Sequence, residues 1–255
     1  MEPGRVVEIL QDGKNRGSGY LITPRHVLTA RHVAKSPVVG ADCIIHPLCG
    51  AREETMPTAQ EPRPQPVSAK VGWVSAEHDF ALIEIAGDPL GSPNAGPIPF
   101  GEVPVDGVVR QIIGSGFPEA AGADQRTIIG TLSWVLTGLR RFDIDVISAV
   151  PRDWTKWGGF SGAAIFADNI LVAVVRTVDE NWNGGVLEAT PAIWLLDDVG
   201  FKKYLEDAGL SLPDRETTTR EGFHLVLWRA GGLGYALVSD LDMQELEQLA
   251  HLIAS

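Results

Sequence analysis

Short apolar or alternating runs, separated by clusters of Gly, Pro, Asn and Asp, dominate the chain before residue 190. The runs have the lengths of β-strands, and turn residues between such runs are typical of an all-β sandwich or barrel. Helical periodicity is scarce in this part of the chain. The pattern therefore predicts a mainly β fold, with strands in VVEIL, GYLIT, VVGADCIIH, FALIEIA, GVVRQIIGSG, RTIIGTLSWVL, FDIDVISAV, GAAIFA and ILVAVVRTV.

Helical spacing begins after the last strand run, in IWLLDDVGFKKYLEDAGL. One predicted helix ends at Gly209, a residue type that often follows a helix C-terminus. Its apolar positions are Leu195, Leu196, Val199, Tyr204 and Leu205.

The chain divides into three predicted units. The Pro- and Gly-rich segment DPLGSPNAGPIPFGE separates a β unit at residues 1–100 from a second β unit, with its helix, at 101–210. After a polar linker that starts near residue 214, the runs HLVLWRA and YALVSD flank the turn GGLG and precede DMQELEQLAHLIA. We therefore predict a hairpin and helix appendage at 214–255.

The charge balance excludes one large class of partner. The formal net charge of −12 leaves no basic stripe of the kind that a nucleic-acid groove needs. The start MEPGRVVEIL lacks a signal-peptide pattern, and no stretch has the length of a membrane span. We therefore expect a cytoplasmic protein that binds neither nucleic acid nor membrane.

Cysteine usage is sparse. Cys43 and Cys49 are too few for a disulfide framework, which agrees with a reducing compartment, although a single bridge between them is left open. The two cysteines with His46 fall one ligand short of a closed zinc site. We therefore expect no metal and no cofactor.

Three separated segments carry the residue types of nucleophilic catalysis, which needs a nucleophile, a base, a carboxylate that orients the base, and amides that receive an oxyanion. His32 follows an apolar strand in LTARHV, Asp79 precedes the strand FALIEI, and Ser161 lies between glycines in GGFSGAAIF. Glycines permit the backbone angles that aim the amides of Gly159 and Ser161 at one point. Taken singly, the three residues are equally a structural histidine, a turn carboxylate and a tight turn.

The ordered set LTARHV, HDFALIEI, GSGFP and GGFSGAAIF resembles the trypsin-like serine peptidases, particularly the intracellular bacterial members without disulfides, over residues 5–208. The resemblance implies two six-stranded Greek-key β-barrels with a cleft between them. It implies that His32 is the general base, Asp79 orients it, and Ser161 forms the acyl-enzyme with a protein or peptide substrate. The amides of Gly159 and Ser161 would form the oxyanion hole.

The chain departs from this family at the residue before the serine. Phe160 replaces the aspartate that pairs with a newly cut N-terminus in activated zymogens. We therefore expect control by a partner, a ligand or an adjoining segment instead of that switch.

The substrate-binding positions also differ from those of trypsin. Thr155 takes the place of the aspartate that selects Lys or Arg, so the resemblance does not imply trypsin specificity. Lys156 and Arg176 either favour acidic residues before the scissile bond, or Arg176 pairs with Asp79 or another carboxylate. By the same resemblance, the remaining pocket positions are Trp157, Thr177 and Val178.

The last segment, EGFHLVLWRAGGLGYALVSDLDMQELEQLAHLIA, resembles a strand-turn-strand-helix segment of some bacterial transmembrane anti-sigma factors. That resemblance implies a surface for a regulatory protein partner at 214–255. The alternative is a segment that packs on the second barrel and covers its edge. For the whole chain we predict a regulated serine endopeptidase, with a binding protein on the same fold and a non-proteolytic esterase as alternatives.

Overall fold

The computed structural model describes most of the chain. The residues that it does not describe are 12–13, 35–37, 48–64, 91–97, 102, 104–109, 119–124, 136–140, 149–153, 168, 179–184, 210–214, 221–222, 231–232 and 255. Most of the segment that separates the two predicted β units therefore lies outside the described residues.

Six antiparallel strands form a first closed barrel in the order β1-β2-β3-β6-β5-β4. The barrel closes where Ile9 of the first strand pairs with Ile45 of the fourth. Alternate residues of the fourth and fifth strands are buried, as the two-residue period of a strand requires. The strands are β1 (Val6–Gln11), β2 (Lys14–Thr23), β3 (His26–Thr29), β4 (Asp42–Pro47), β5 (Val67–Val74) and β6 (Ala81–Ile85).

A second closed barrel has the same six-stranded form, in the order β10-β11-β12-β9-β8-β7. Its core includes Phe142, Ile144, Phe160, Ile165 and Leu187, all at most 1% exposed. The strands are β7 (Arg110–Gly116), β8 (Arg126–Val135), β9 (Arg141–Val146), β10 (Ala164–Ala167), β11 (Ile170–Val178) and β12 (Val186–Pro191).

The mainly β prediction with two six-stranded barrels is confirmed. The nine apolar runs correspond to nine of the twelve barrel strands, and the apolar strand before His32 is β3. The other two, β5 and β12, were missed, because their sequences VSAKVGWV and VLEATP are interrupted by polar residues. The run VVGADCIIH was also too long, because Val38 and Val39 are exposed and the strand begins only at Asp42. β5 is half-buried, and half-buried strands alternate polar with apolar residues and so lack a continuous apolar run. β12 is mostly buried but contains Glu188, Thr190 and Pro191.

The single helix predicted after the barrels is wrong in one respect, because it is divided in two. A 3-10 helix spans Ala192–Leu196, and helix α1 spans Val199–Asp207. Asp198 separates them: its Oδ1 accepts a hydrogen bond from the backbone amide of Phe201 at 3.0 Å, which starts a new helix. Gly209 follows α1 in the left-handed region, with φ of 69°.

The chain forms two compact units, Met1–Tyr204 and Leu205–Ser255. In the second unit, β13 (Arg215–Arg220), β14 (Phe223–Ala230) and β15 (Leu233–Ser239) form a three-stranded antiparallel sheet, followed by helix α2 (Met243–Ala254).

The prediction of a hairpin and helix for this segment omitted a strand. The small core of this C-terminal unit consists of Val226, Leu246 and Ala250. The segment RETTTR, predicted as a linker, pairs with β14 along its whole length, because its threonines are β-branched and suit an extended backbone.

Cys43 is a buried free thiol, and burial together with the charge of Asp42 raises its pKa to about 11. Within the described residues, no group of three or more His, Cys, Asp or Glu side chains is placed to hold a metal ion. No helix of the described chain is long and apolar enough to cross a membrane. Cys49 lies outside the described residues.

Candidate active site

Strand pairing brings His32 and Asp79 together. His32 lies in the short 3-10 helix that follows β3, Asp79 lies just before β6, and these two strands pair through Thr29 and Ala81. The Nδ1 atom of His32 is 2.8 Å from Oδ2 of Asp79, and the backbone amide of His32 donates to Oδ1 at 3.1 Å. The backbone amide of Arg31 donates to the carbonyl oxygen of Asp79 at 3.2 Å. Asp79 therefore fixes both the imidazole and the backbone of His32.

The electrostatics of this pair favour an ionised carboxylate. Burial acts to raise the pKa of Asp79, but the side-chain hydrogen bond from His32, its charge and amide, and the charge of Arg176 together lower that pKa below its usual value. An ionised carboxylate only accepts hydrogen bonds, so Nδ1 of His32 carries the proton. The Nε2 atom is then the basic nitrogen, on a side chain that is 48% exposed.

Ser161 lies on the turn between the 3-10 helix Trp154–Trp157 and strand β10. Its carbonyl oxygen accepts a hydrogen bond from the backbone amide of Ser18 at 2.7 Å, so the first barrel holds this turn of the second barrel. Its hydroxyl donates to the carbonyl oxygen of Arg176 at 3.0 Å. Among the described residues, the Nε2 atom of His32 has no hydrogen-bond partner. The Ser161 hydroxyl thus donates to Arg176 and not to His32 in this structure.

Ser18 is a second point of attachment that the sequence reasoning missed. Its hydroxyl donates to the carbonyl oxygen of Gly159 at 2.8 Å and accepts from the backbone amide of Phe117 at 2.9 Å. With its backbone bond to Ser161, Ser18 fixes the serine-bearing turn at two positions. The only local signal is its setting between two glycines in GSGY, which gives no hint of a contact with a residue so distant in the chain.

Gly162 permits this close approach of the two barrels. Its φ is 86°, in the left-handed region that favours glycine, and a Cβ atom there would overlap the carbonyl oxygen of Ser18 and the hydroxyl of Thr29. No larger residue fits without displacing the turn from β2.

The amides around Ser161 fall into two sets. Four backbone amides in this segment donate to backbone carbonyl oxygens: the amides of Gly158, Phe160, Gly162 and Ala163. The amides of Gly159 and Ser161, by contrast, have no hydrogen-bond acceptor among the described residues. Two unpartnered donors next to a serine hydroxyl are what an oxyanion hole requires.

Phe160 and Trp157 belong to the core of the second barrel. Phe160 is 1% exposed and Trp157 is 3% exposed, and their rings meet edge to face with centroids 5.2 Å apart. A buried phenylalanine ring therefore occupies the position before the serine, where activated zymogens have an aspartate.

The residues predicted to bind substrate fall into two groups. Arg176 and Thr177 line an open cleft of about 400 Å³, together with Arg31, His32 and Asp79. The others are not among the residues that line it: Thr155 and Lys156 are exposed, and Trp157 and Val178 pack on the core of the second barrel.

Arginines border the His32–Asp79 pair. The Nε atom of Arg176 is 4.0 Å from Oδ2 of Asp79, and the guanidinium of Arg31 donates to the carbonyl oxygen of Ser75 at 3.1 Å. A second recess of about 200 Å³ shares Arg31, Asp79 and Arg176 with the cleft. Arg31 was not predicted as a site residue, because its role depends on the β3–β6 pairing and not on a local motif.

His78 precedes Asp79 and lines the second recess. Its ring is half-buried and lies against Trp194, with centroids 4.5 Å apart. The recess beside Asp79 therefore has an aromatic wall.

Solved structures similar to this one include proteases with low sequence identity to it. Kallikrein-related peptidase 10 is 12% identical, with a TM-score of 0.58 over 80% of this chain and 96% of that chain. The HtrA-type protease AlgW, solved with a decapeptide, is 14% identical, with a TM-score of 0.52 over 93% and 94%. The protease domain of MamO from Magnetospirillum magneticum is 16% identical, with a TM-score of 0.52 over 76% and 95%. At these identities the matches show the fold.

A comparison with protein families is more direct. No curated protein sequence matches the chain. Residues 17–174, more than half of the chain, match the family model of the trypsin-like peptidase domain. The match includes the segments that carry His32, Asp79 and Ser161. The chain belongs to the trypsin-like peptidase family.

Proposed function

We propose that the protein is a serine endopeptidase that uses Ser161 as nucleophile, His32 as general base and Asp79 as the residue that orients His32. The observation that carries this proposal is the 2.8 Å contact between Nδ1 of His32 and Oδ2 of Asp79 at the edge of an open cleft. Held in this way, the imidazole presents Nε2 as a base. A peptide carbonyl that enters the cleft would meet a serine next to two unpartnered amides.

The first half of the reaction forms an ester. The Ser161 hydroxyl leaves the carbonyl oxygen of Arg176 and donates to Nε2 of His32, which takes the proton as the serine oxygen attacks the substrate carbonyl carbon. The amides of Gly159 and Ser161 receive the negative charge on the carbonyl oxygen. His32 then returns the proton to the leaving amine, the peptide C–N bond breaks, and an acyl-enzyme remains on Ser161.

The second half repeats these steps with water. His32 removes a proton from water, the resulting oxygen nucleophile attacks the ester, and the proton passes to the serine oxygen as the acid product leaves. Asp79 stays ionised throughout, because its lowered pKa favours the charged carboxylate beside the imidazolium.

Cleavage of a diverse peptide library tests the proposal. We expect Ser161→Ala and His32→Ala each to lower turnover by several orders of magnitude while the protein remains folded. Ser133→Ala is the matched control, since Ser133 is exposed on β8 and outside the cleft. Full activity in Ser161→Ala would exclude the proposed nucleophile.

A binding protein on the same fold is the second candidate. It is favoured by one observation, the hydrogen bond from the Ser161 hydroxyl to Arg176, which leaves the serine unpaired with its base. We propose that the hydrogen bond between Ser161 and Arg176 belongs to a resting state of the peptidase. We also propose that a protein partner, bound through the sheet and helix of residues 214–255, regulates the peptidase. Cleavage that does not change when residues 214–255 are removed, under conditions where the remaining unit is folded, would exclude this regulation.

A further inference from the structure

The cleft beside His32 carries more positive than negative charge. Arg31 and Arg176 line it, and the carboxylate of Asp79 is the only acidic group among its lining residues in the described part of the chain. A protein with a formal net charge of −12 thus has a cationic lining at this position.

Asp79 does not neutralise both arginines. Its two oxygens already accept hydrogen bonds from the imidazole and the amide of His32, at 2.8 and 3.1 Å. The Nε atom of Arg176 lies 4.0 Å from Oδ2, which is beyond hydrogen-bond distance. The Arg176 side chain is 48% exposed and lines the cleft.

Arg31 has no carboxylate partner among the described residues. One of its terminal nitrogens donates to the carbonyl oxygen of Ser75, an uncharged acceptor, at 3.1 Å. A guanidinium has five donors, so this bond leaves most of them for a ligand.

The second recess next to Asp79 contains a contrasting arginine. Arg141 contacts Oε1 of Glu188 at 2.5 Å and Oδ1 of Asp143 at 3.3 Å, so its charge is matched within the protein. The remaining acidic residue of that recess, Glu77, is exposed and is not among the residues that line the cleft around His32. Arg31 and Arg176 share the one carboxylate of the described cleft lining, that of Asp79, so the cleft around His32 keeps a net positive charge.

We propose that the cleft selects substrates with an acidic side chain, Asp or Glu, close to the scissile bond, and that Arg31 and Arg176 bind its carboxylate. This inference rests on the proposed peptidase function. Guanidinium and carboxylate groups form charge-assisted, often bidentate hydrogen bonds, and a space of about 400 Å³ admits such a side chain beside the imidazole. Acidic side chains elsewhere on the protein repel an acidic substrate, but salt at 0.1 M screens this repulsion beyond about 10 Å.

Matched peptides test the inference. Each pair differs by one residue, Asp against Asn or Glu against Gln, at each of the three positions on either side of a cleaved bond. We expect the acidic peptide of one pair to have a kcat/KM about tenfold higher than its neutral partner, the effect of one charge-assisted hydrogen bond. The ratio should fall below about threefold in Arg31→Gln and in Arg176→Gln.

The control variant is Lys70→Gln, which removes the same charge from an exposed position on β5 outside the cleft. It should keep the tenfold ratio. Arg176→Gln also removes the positive charge that lies beside Asp79, so we expect it to change kcat for both peptides of a pair. The ratio of the two kcat/KM values is therefore the quantity to compare. Circular dichroism of each variant establishes that it is folded.

A binding measurement separates this inference from the proposed function. Ser161→Ala is titrated into the same fluorescent peptide pairs, and anisotropy gives Kd without any cleavage. Selective binding of acidic peptides supports the charge selection even if wild type cleaves none, in which case the peptidase proposal fails. Equal Kd values within every pair overturn the charge selection, whether or not wild type cleaves peptides.

Discussion

The hydroxyl of Ser161 donates a hydrogen bond to the carbonyl oxygen of Arg176 at 3.0 Å. The other end of Arg176 lies 4.0 Å from the carboxylate of Asp79, so one residue of β11 borders both the serine and the aspartate of the proposed triad. The carbonyl oxygen and the guanidinium of Arg176 have different effects on the site. The carbonyl competes with His32 for the serine proton, whereas the guanidinium helps to keep Asp79 ionised.

Asp79→Asn tests the orienting role of the carboxylate. An amide at this position can donate to Nδ1 of His32, which places the imidazole proton on Nε2 and removes the base. We expect kcat to fall by about 10⁴-fold in peptide cleavage, the loss typical of this substitution in a triad. Asp88→Asn, at an exposed position after β6, should keep wild-type activity. A loss of less than tenfold in Asp79→Asn would contradict the assignment.

Acid pH should remove the stabilisation that Asp79 contributes. Its folded-state pKa is lowered from a usual value of 3.8, so its contribution is present above that value and is lost as pH falls through the lower folded-state pKa. We expect wild type to be more stable than Asp79→Asn in urea unfolding at pH 5. The difference should shrink below about pH 4. A difference that widens from pH 4 to pH 2 would have the wrong sign for a lowered pKa.

Ser18→Ala tests whether the first barrel positions the nucleophile. The substitution removes the acceptor of the buried Phe117 amide and the donor to the Gly159 carbonyl. A hydrogen bond of this kind contributes about 0.5–1.5 kcal/mol, so we expect the loss of both bonds to lower the free energy of unfolding by about 1–3 kcal/mol. We also expect a fall in kcat, because Gly159 becomes less well fixed, with little change in KM. Ser133→Ala is the control for both readouts, and an unchanged kcat in Ser18→Ala would exclude the positioning role.

The two barrels and the three candidate catalytic residues could be predicted from the sequence for the same reason. His32, Asp79 and Ser161 each lie next to a buried strand in a short segment of recognisable form, and the buried strands are the conspicuous ones. Strand β5 was missed because its polar and apolar residues alternate, and β12 because Glu188, Thr190 and Pro191 leave it only a short apolar run although most of the strand is buried. The predicted helix extends too far toward its N-terminus, because the capping role of Asp198 depends on its contacts with Phe201 and Ser75 and not on the apolar spacing.

Contacts between distant segments could not be predicted in this way. Ser18 and Gly159 are 141 positions apart, and no spacing rule connects them. Arg31 follows β3 and reaches the cleft only because β3 pairs with β6. Likewise, the sequence left open whether Arg176 meets a substrate or Asp79. The structure brings it near Asp79 and leaves half of its side chain exposed to the cleft.

Covalent labelling of Ser161 examines the proposed chemistry most directly. Wild type and Ser161→Ala are incubated with a fluorophosphonate probe, with and without a cleavable peptide, and the labelled residue is identified by mass spectrometry. We predict one probe per wild-type chain, attached to Ser161, with slower labelling in the presence of peptide and none in Ser161→Ala. Wild type that stays unlabelled under all of these conditions, or labelling that persists in Ser161→Ala, would contradict the assignment of Ser161 as an activated nucleophile.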